Sequence, residues 1–223
     1  MLFLRSDDNR TVSMSRIILF NKPYGVLCQF RPVEGRQTLK DYIAEPAVYP
    51  AGRLDADSEG LLALTGDGAL QNRISAPQHK LEKTYYVQVE GIATTTAIEQ
   101  LRRGVALRDY VSKPARVEQV EPPDWLWPRQ PPVRFRKNVP TSWIRVSISE
   151  GRNRQVRHMT AAVGFPTLRL IRYAIGDWTI ANMEPGKSRS IEFDLHTEPV
   201  RRTRVKSGSA QAAIRPARKR TRS

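Results

Sequence analysis

The sequence contains a single cysteine, Cys28, and only three histidines. One cysteine excludes an internal disulfide and is typical of a reducing compartment such as the cytosol. The histidines, His79, His158 and His196, lie too far apart to give the ligand spacing of a metal site. The sequence also lacks the glycine-rich loops that hold nucleotide phosphates. It therefore predicts neither a metal nor a cofactor.

Long hydrophobic runs are missing as well. No apolar run approaches the roughly 20 residues of a membrane-spanning helix. The first residues lack the apolar region and cleavage site of a signal peptide. The chain has 223 residues, enough to bury a substantial core. We expect a cytoplasmic protein without a membrane partner, folded as one domain over residues 16–198.

Acidic residues are absent from the last part of the chain, residues 199–223, which carries nine lysines and arginines. The formal net charge of the whole chain is +15 at pH 7, and this tail carries more than half of it. Such a charge favours a polyanionic partner such as RNA, although a basic tail can also simply keep a protein soluble. We predict that the tail is disordered because it has little to bury, and that residues 1–15 form a disordered extension.

Asp55 lies in a turn between Gly52 and Gly60, directly before the apolar residues 61–64. The apolar run predicts a buried strand, so the carboxylate stands on a short loop that the core anchors. We call residues 52–60 the Asp55 loop. An aspartate in a turn can also be a simple cap. Asp55 and Asp57 could form the carboxylate pair of a glycosidase, but residues two apart on a loop have no fixed separation.

Residues 52–68 read Gly-Arg-Leu-Asp-Ala-Asp-Ser-Glu-Gly-Leu-Leu-Ala-Leu-Thr-Gly-Asp-Gly. This stretch resembles the motif G-R-L-D-x-x-(T/S)-x-G-L-L-x-L-T-x-D-G of the pseudouridine synthases, in the branch that acts on ribosomal RNA. The resemblance implies that Asp55 is the nucleophile and that Arg53 helps to hold its charge and bind the substrate. Gly66 departs from the motif, where Asn or Asp is usual.

Two further segments match the family in the expected order. Residues 21–25, Asn-Lys-Pro-Tyr-Gly, resemble its K-P-x-G turn, which implies a structural support for the Asp55 loop, with Lys22 available to a phosphate. Lys83-Thr84-Tyr85 matches K-x-Y, so Tyr85 is expected in the active site, where a ring can stack on a flipped base. Tyr85 and Tyr86 could also be ordinary strand aromatics, and alternation alone does not choose between them.

Residues 150–159, Glu-Gly-Arg-Asn-Arg-Gln-Val-Arg-His-Met, resemble the third motif, with a histidine in place of a usual arginine. The match implies that Arg157 pairs with Asp55 and thereby favours the charged carboxylate. Arg152 and Arg154 lie near the start of the predicted helix and are expected to bind phosphate. The closing segment, residues 164–176, implies that Leu170 helps to form the floor of a base pocket.

A proline-rich insert, residues 121–137, contains five prolines, which exclude regular structure. It interleaves rings with positive charges, as surfaces that bind single-stranded RNA do. The side chains that we expect to bind substrate are Trp125, Trp127, Arg134, Arg136 and Lys137. The tryptophans could equally anchor a long loop to the core.

The resemblance implies an α+β fold, with a mixed, mostly antiparallel sheet bent across two subdomains. It implies isomerisation of a specific uridine to pseudouridine in 23S rRNA, near the peptidyl transferase centre. Only fifteen residues precede the first predicted strand, so we expect no S4-type RNA-binding domain. We also expect a monomer, which acts on free rRNA or on an assembling large subunit. The alternatives are a non-catalytic rRNA-binding or assembly protein on the same fold, or a hydrolytic glycosidase, which would need a second carboxylate from Asp57 or Glu59.

Overall fold

The structure, a computed structural model, describes residues 14–75, 81–134 and 136–194. Three α-helices are present in these ranges: α1 (Gly68–Ser75), α2 (Thr95–Arg103) and α3 (Gln155–Ala162), together with one short 3-10 helix (Leu39–Asp41). The strands are β1 (Met14–Lys22), β2 (Tyr49–Pro50), β3 (Glu59–Thr65), β4 (Lys83–Glu90), β5 (Arg116–Val120), β6 (Thr141–Ile148), β7 (Thr167–Ile175), β8 (Trp178–Thr179) and β9 (Ser188–Asp194). The α+β class is therefore confirmed.

The strands of the described part of the chain form one sheet in the order β5-β6-β4-β7-β3-β1-β9, with β2 paired to β3 and β8 to β7. Every pairing between these strands is antiparallel except β3 with β7, which are parallel over only two residue pairs, Glu59 with Ile171 and Gly60 with Arg172. This short contact joins the group β5-β6-β4-β7 to the group β3-β1-β9. The Asp55 loop leads directly into it, so the loop lies at the junction of two groups of strands.

The burial pattern explains why these residues form strands. All seven residues of β3 are buried, as its apolar run predicts. In β4, burial alternates, and Tyr85, Val87 and Val89 face a core that includes residues of α2 and α3. Tyr86 and Gln88 therefore point to the opposite face of the sheet.

Gly60 shows why the motif requires a glycine at the start of β3. Its φ is +100°, and a Cβ atom built on it would lie 2.3 Å from the carbonyl oxygen of Arg172. A side chain would therefore push β3 away from β7 at their short parallel contact. The glycine permits the close approach that places the Asp55 loop beside β7.

Several boundaries differ from the sequence prediction. β1 begins at Met14, so residues 14 and 15 belong to the sheet and not to a disordered extension. The rest of that extension and the tail of residues 199–223 lie outside the described residues. After the turn that follows β1, Leu27 makes only an isolated bridge to Thr38. In the described ranges, no helix is both long enough and apolar enough to cross a membrane.

Candidate active site

A cavity of about 330 Å³ lies beside the Asp55 loop. This volume is within the range of small-molecule pockets, at its lower end. The cavity brings together six of the side chains that the sequence singles out: Arg53, Asp55, Tyr85, Arg152, Arg154 and Leu170. These residues come from four separate segments of the chain, so the fold assembles the site.

The Asp55 loop is held from behind by the turn that follows β1. The loop begins with a tight turn, in which the Ser58 N–H donates to the Asp55 carbonyl at 3.1 Å. The Gly25 N–H donates to the carbonyl of Ala56 at 2.7 Å, so the two turns are joined through the residue next to Asp55. These backbone bonds fix the loop while the Asp55 side chain stays about one-third exposed.

Lys22 belongs to this support and not to the RNA-binding surface. Its side chain is 0% exposed, and its ammonium group donates to the carbonyls of Pro23 at 2.8 Å, Val26 at 2.9 Å and Ala56 at 3.5 Å. The prediction that Lys22 is available to a phosphate is wrong, because these carbonyls hold the ammonium group inside the turn. Burial lowers the pKa of Lys22 to about 8.

The arginine nearest to Asp55 is Arg154, not Arg157. One Arg154 nitrogen, Nη1, lies 3.4 Å from Asp55 Oδ2. Arg157 instead donates from Nη2 to the carbonyl of Asp57 at 2.8 Å and lies 3.4 Å from the Asp57 carboxylate. The expected Asp55–Arg157 ion pair is therefore wrong for the described structure. The physical reason is the backbone of Arg154, which caps α3 in the left-handed region at φ 49° and ψ 26°, so that its side chain reaches the loop first.

Asp57 is the centre of this charge network. The two terminal nitrogens of Arg154 bind its two oxygens at 3.0 Å and 2.9 Å. Burial raises the pKa of Asp57, but the hydrogen bond from Arg154 and the charges of Arg157 and Arg154 outweigh it, so the net pKa lies below the ordinary value. The hydrogen bond to Asp57 raises the pKa of Arg154, whereas burial lowers the pKa of Arg157. Asp57 thus remains a carboxylate between two cations.

The opposite wall of the cavity is apolar. Tyr85 and Leu170 are almost completely buried there, next to Ile148 and Val156. Tyr86 lies on the other face of β4, where its ring packs edge-on against Trp125 at 5.0 Å between centroids. Tyr85 is therefore the tyrosine of this pair that can contact a ligand in the cavity.

Two further arginines line the cavity and are exposed. The Arg152 guanidinium lies 4.0 Å from the ring centroid of Tyr110, which orients it by a cation–π contact. Arg53 lines the cavity, and no ion pair of the described residues joins it to Asp55. Both cations are therefore available to a phosphate group at this cavity.

The tryptophans of the proline-rich insert anchor it to the sheet. Trp125 stacks on Tyr173 at 5.2 Å, and the indole N–H of Trp127 donates to Glu59 at 2.8 Å. The prediction that Trp125 and Trp127 bind substrate is wrong for this reason: neither lines the cavity, and both pack against the core. The alternative, in which they anchor the loop, is the one that the geometry supports.

The basic residues of the insert lie elsewhere. Arg134, Arg136 and Lys137 line a second cavity of about 470 Å³ together with Gln88. Because Gln88 points away from Tyr85, this cavity is on the opposite face of the sheet. Arg136 is also paired with Glu90 at 2.6 Å. These three residues are therefore not part of the Asp55 site.

A buried ion pair behind the site was not predicted. Glu59 and Arg169 are 1% and 4% exposed. Arg169 Nε and Nη2 donate to the Glu59 carboxylate at 2.8 Å and 2.9 Å, and Arg169 Nη1 donates to the Trp127 carbonyl at 3.0 Å. The signal in the sequence is an acidic residue, Glu59, at the start of the apolar strand β3 and a basic residue, Arg169, within the largely apolar strand β7. This pair connects the end of the Asp55 loop, β7 and the insert.

The arrangement offers one partly exposed carboxylate at a small, half-apolar cavity, with a tyrosine on the wall and arginines at Asp55. Within the ranges described, no three His, Cys, Asp or Glu residues are placed to hold a metal ion. A nucleophilic or basic carboxylate is the chemistry that these groups can supply.

The comparisons with known proteins agree with this geometry. The family model described as RNA pseudouridylate synthase matches residues 16–162. The protein named ribosomal large subunit pseudouridine synthase E of Vibrio vulnificus is 52% identical over 189 residues, which are 85% of this chain and 80% of that protein. The protein of the same name of Xanthomonas axonopodis pv. citri is 56% identical, over 76% of this chain and 90% of that protein. A solved structure described as a pseudouridylate synthase has a TM-score of 0.64 and 29% identity, covering 81% of this chain and 71% of that one.

Proposed function

Since this chain belongs to the RNA pseudouridylate synthase family, we propose that it isomerises a specific uridine of 23S rRNA to pseudouridine, near the peptidyl transferase centre. The observation that carries the proposal is Asp55, fixed on its loop at the cavity and faced by Tyr85 and Leu170. Two similar proteins that are named for the large ribosomal subunit support that subunit as the source of the RNA.

Base flipping delivers the uridine to the cavity, because a base within a helix cannot reach Asp55. The uracil ring lies against the apolar wall formed by Tyr85 and Leu170. The bond between C1′ and N1 breaks, the ring turns within the cavity, and a bond forms between C1′ and C5. The proton on C5 then leaves to solvent and N1 takes up a proton from solvent, so atoms and electrons balance without an oxidant or a reductant.

Asp55 acts as the nucleophile or base that divides this reaction into easier steps. It attacks C6 of the base, attacks C1′ of the sugar, or removes the proton from C2′, and all three would use the carboxylate in its present place. Arg154 Nη1, 3.4 Å from Asp55 Oδ2, complements the negative charge of the carboxylate. Tyr85 stacks on the base, and its hydroxyl can exchange the C5 proton.

The neighbouring cations bind the RNA backbone. Arg53 and Arg152 line the cavity and would contact the phosphates on either side of the flipped nucleotide. Arg157 acts indirectly, by fixing the backbone of Asp57 in the Asp55 loop. The net charge of +15 supports a salt-dependent interaction with the rest of the RNA. We propose that the protein works as a monomer, on free 23S rRNA or on an assembling large subunit.

The test is release of tritium from unmodified 23S rRNA labelled at C5 of uridine. Wild type should release one tritium per RNA molecule, whereas Asp55→Asn should be slower by at least about a thousandfold, as expected when a nucleophile is removed. Asp55→Asn should still bind the RNA with wild-type affinity. Small-subunit rRNA, labelled in the same way, is the substrate control. Wild-type binding without release from free rRNA or from large-subunit precursors would point to a non-catalytic rRNA-binding protein.

A further inference from the structure

We infer that Asp57 is a positioning residue for the reaction: it occupies the guanidinium fork of Arg154 and so leaves Asp55 a carboxylate oxygen that is free to react. The inference rests on the proposed function.

Arg154 makes shorter and more numerous hydrogen bonds to Asp57 than to Asp55. Both oxygens of Asp57 accept from Arg154, at 3.0 Å and 2.9 Å, in a two-pronged pair. Asp55 receives one longer contact of 3.4 Å, to Oδ2 alone. Among the described residues, no other side chain donates to the Asp55 carboxylate. The stronger, bidentate interaction therefore belongs to Asp57.

Asp57 is itself held in place. Arg157, with a side chain only 12% exposed, donates to its carbonyl at 2.8 Å and lies 3.4 Å from its carboxylate. Arg154 approaches from the left-handed cap of α3, a conformation that non-glycine residues seldom adopt. Arg154 and Arg157 thus both bind Asp57 from α3. This holds Arg154 beside Asp55 without a bidentate pair between them.

This division matters for the chemistry of Asp55. A single long contact leaves one Asp55 oxygen without a side-chain donor, whereas a bidentate pair would engage both of its oxygens. A carboxylate whose two oxygens accept hydrogen bonds from an arginine fork is a poorer nucleophile and base. If Asp57 loses its charge, the Arg154 fork is free to move to Asp55. We therefore expect the chemical step to slow while RNA binding stays intact.

The first measurement is the single-turnover rate of tritium release by full-length Asp57→Asn, together with its Kd for the same RNA. The rate constant should fall about ten- to a hundredfold, with Kd within about threefold of wild type. The matched control is Asp109→Asn, which removes one negative charge from a residue whose side chain is 83% exposed, outside the cavity. Asp109→Asn should leave the rate unchanged.

A rescue experiment separates positioning from a structural role. Arg154→Lys keeps the positive charge but cannot bridge both oxygens of a carboxylate. In the double variant Asp57→Asn/Arg154→Lys, the competing pair with Asp55 cannot form, so release should be faster than for Asp57→Asn alone. A purely structural Asp57 would instead give losses that multiply. Urea midpoints of all variants establish that the rates refer to folded protein.

The outcomes are distinguishable. A wild-type rate for Asp57→Asn, or independent losses in the double variant, would overturn the role of Asp57 and leave the proposed function standing. A wild-type protein that binds 23S rRNA and releases no tritium would overturn the proposed function itself. A rate loss with unchanged Kd, followed by recovery in the double variant, would support the inference.

Discussion

Replacing Arg169 by methionine tests whether the buried ion pair behind the Asp55 loop stabilises the fold. Arg169 and Glu59 are almost inaccessible to water, and three donor groups of Arg169 have partners at 2.8–3.0 Å. Methionine is of similar length but supplies no donor. Glu59 would keep its charge with only the Trp127 indole N–H as a partner.

The expected loss follows from that uncompensated charge. Breaking a buried pair by removing one partner costs about 3–5 kcal/mol. In a protein of this size, about 1 kcal/mol lowers the thermal midpoint by roughly 2–4 °C, so Arg169→Met should lower it by roughly 6–20 °C. Glu59→Gln together with Arg169→Met should cost less than Arg169→Met alone, since no unpaired charge remains buried.

Urea unfolding at pH 7 measures these differences. The matched control is Arg136→Met, which breaks an ion pair with Glu90 at a half-exposed site and should cost no more than about 1 kcal/mol. The reasoning fails if Arg169→Met costs as little as Arg136→Met. The reasoning also fails if Glu59→Gln/Arg169→Met is less stable than Arg169→Met, because the unpaired charge of Glu59 would then not be the cause of the lost stability.

Two more predictions concern the support of the site. Lys22 has its pKa lowered to about 8 from 10.5, so its contribution to the free energy of unfolding should grow by about 3 kcal/mol as the pH rises from 8 to 10.5. Urea unfolding measures the free energy of unfolding of wild type and of Lys22→Met at each pH across that range. A difference between the two proteins that does not change with pH contradicts the prediction. Gly60→Ala should cost about 3 kcal/mol or more, because φ is +100° and Cβ would meet the Arg172 carbonyl at 2.3 Å. Gly35→Ala, at φ +67° with nothing within 4 Å, should cost about 1 kcal/mol in the same assay, and equal losses would exclude the steric argument.

The sequence predicts the strands that position the cavity because the relevant signals are local, whereas the fold class follows from the resemblance to the family. The apolar run after Gly60 becomes the buried strand β3, and the alternation of β4 places Tyr85 and Tyr86 on opposite faces. The motif then selects Tyr85, and the structure places it with Asp55 in one cavity. The burial of β3 and the alternation of β4 need only the neighbouring residues and the period of a strand, whereas the choice of Tyr85 rests on the family motif.

The errors concern contacts that no local pattern specifies. Lys22 reads as a surface lysine, yet carbonyls of two turns enclose it. Whether Arg154 or Arg157 lies nearest to Asp55 depends on the left-handed backbone of Arg154 at the start of α3. The sequence pattern predicts that Trp127 stacks on a base. In the structure its indole N–H donates to Glu59, which lies 68 positions away in the sequence. Burial of a charge requires a partner from a distant segment, and spacing within one segment does not reveal it.

The order of the strands has a consequence for synthesis on the ribosome. β1 pairs with β9, and Glu59 emerges 110 residues before its partner Arg169. At about 5–20 residues per second, the nascent chain holds the Asp55 loop for roughly 5–20 s before that partner exists. Such long-range pairing also slows folding itself. A product truncated before Arg169 would carry every residue of the Asp55 motif without the buried pair that fixes it.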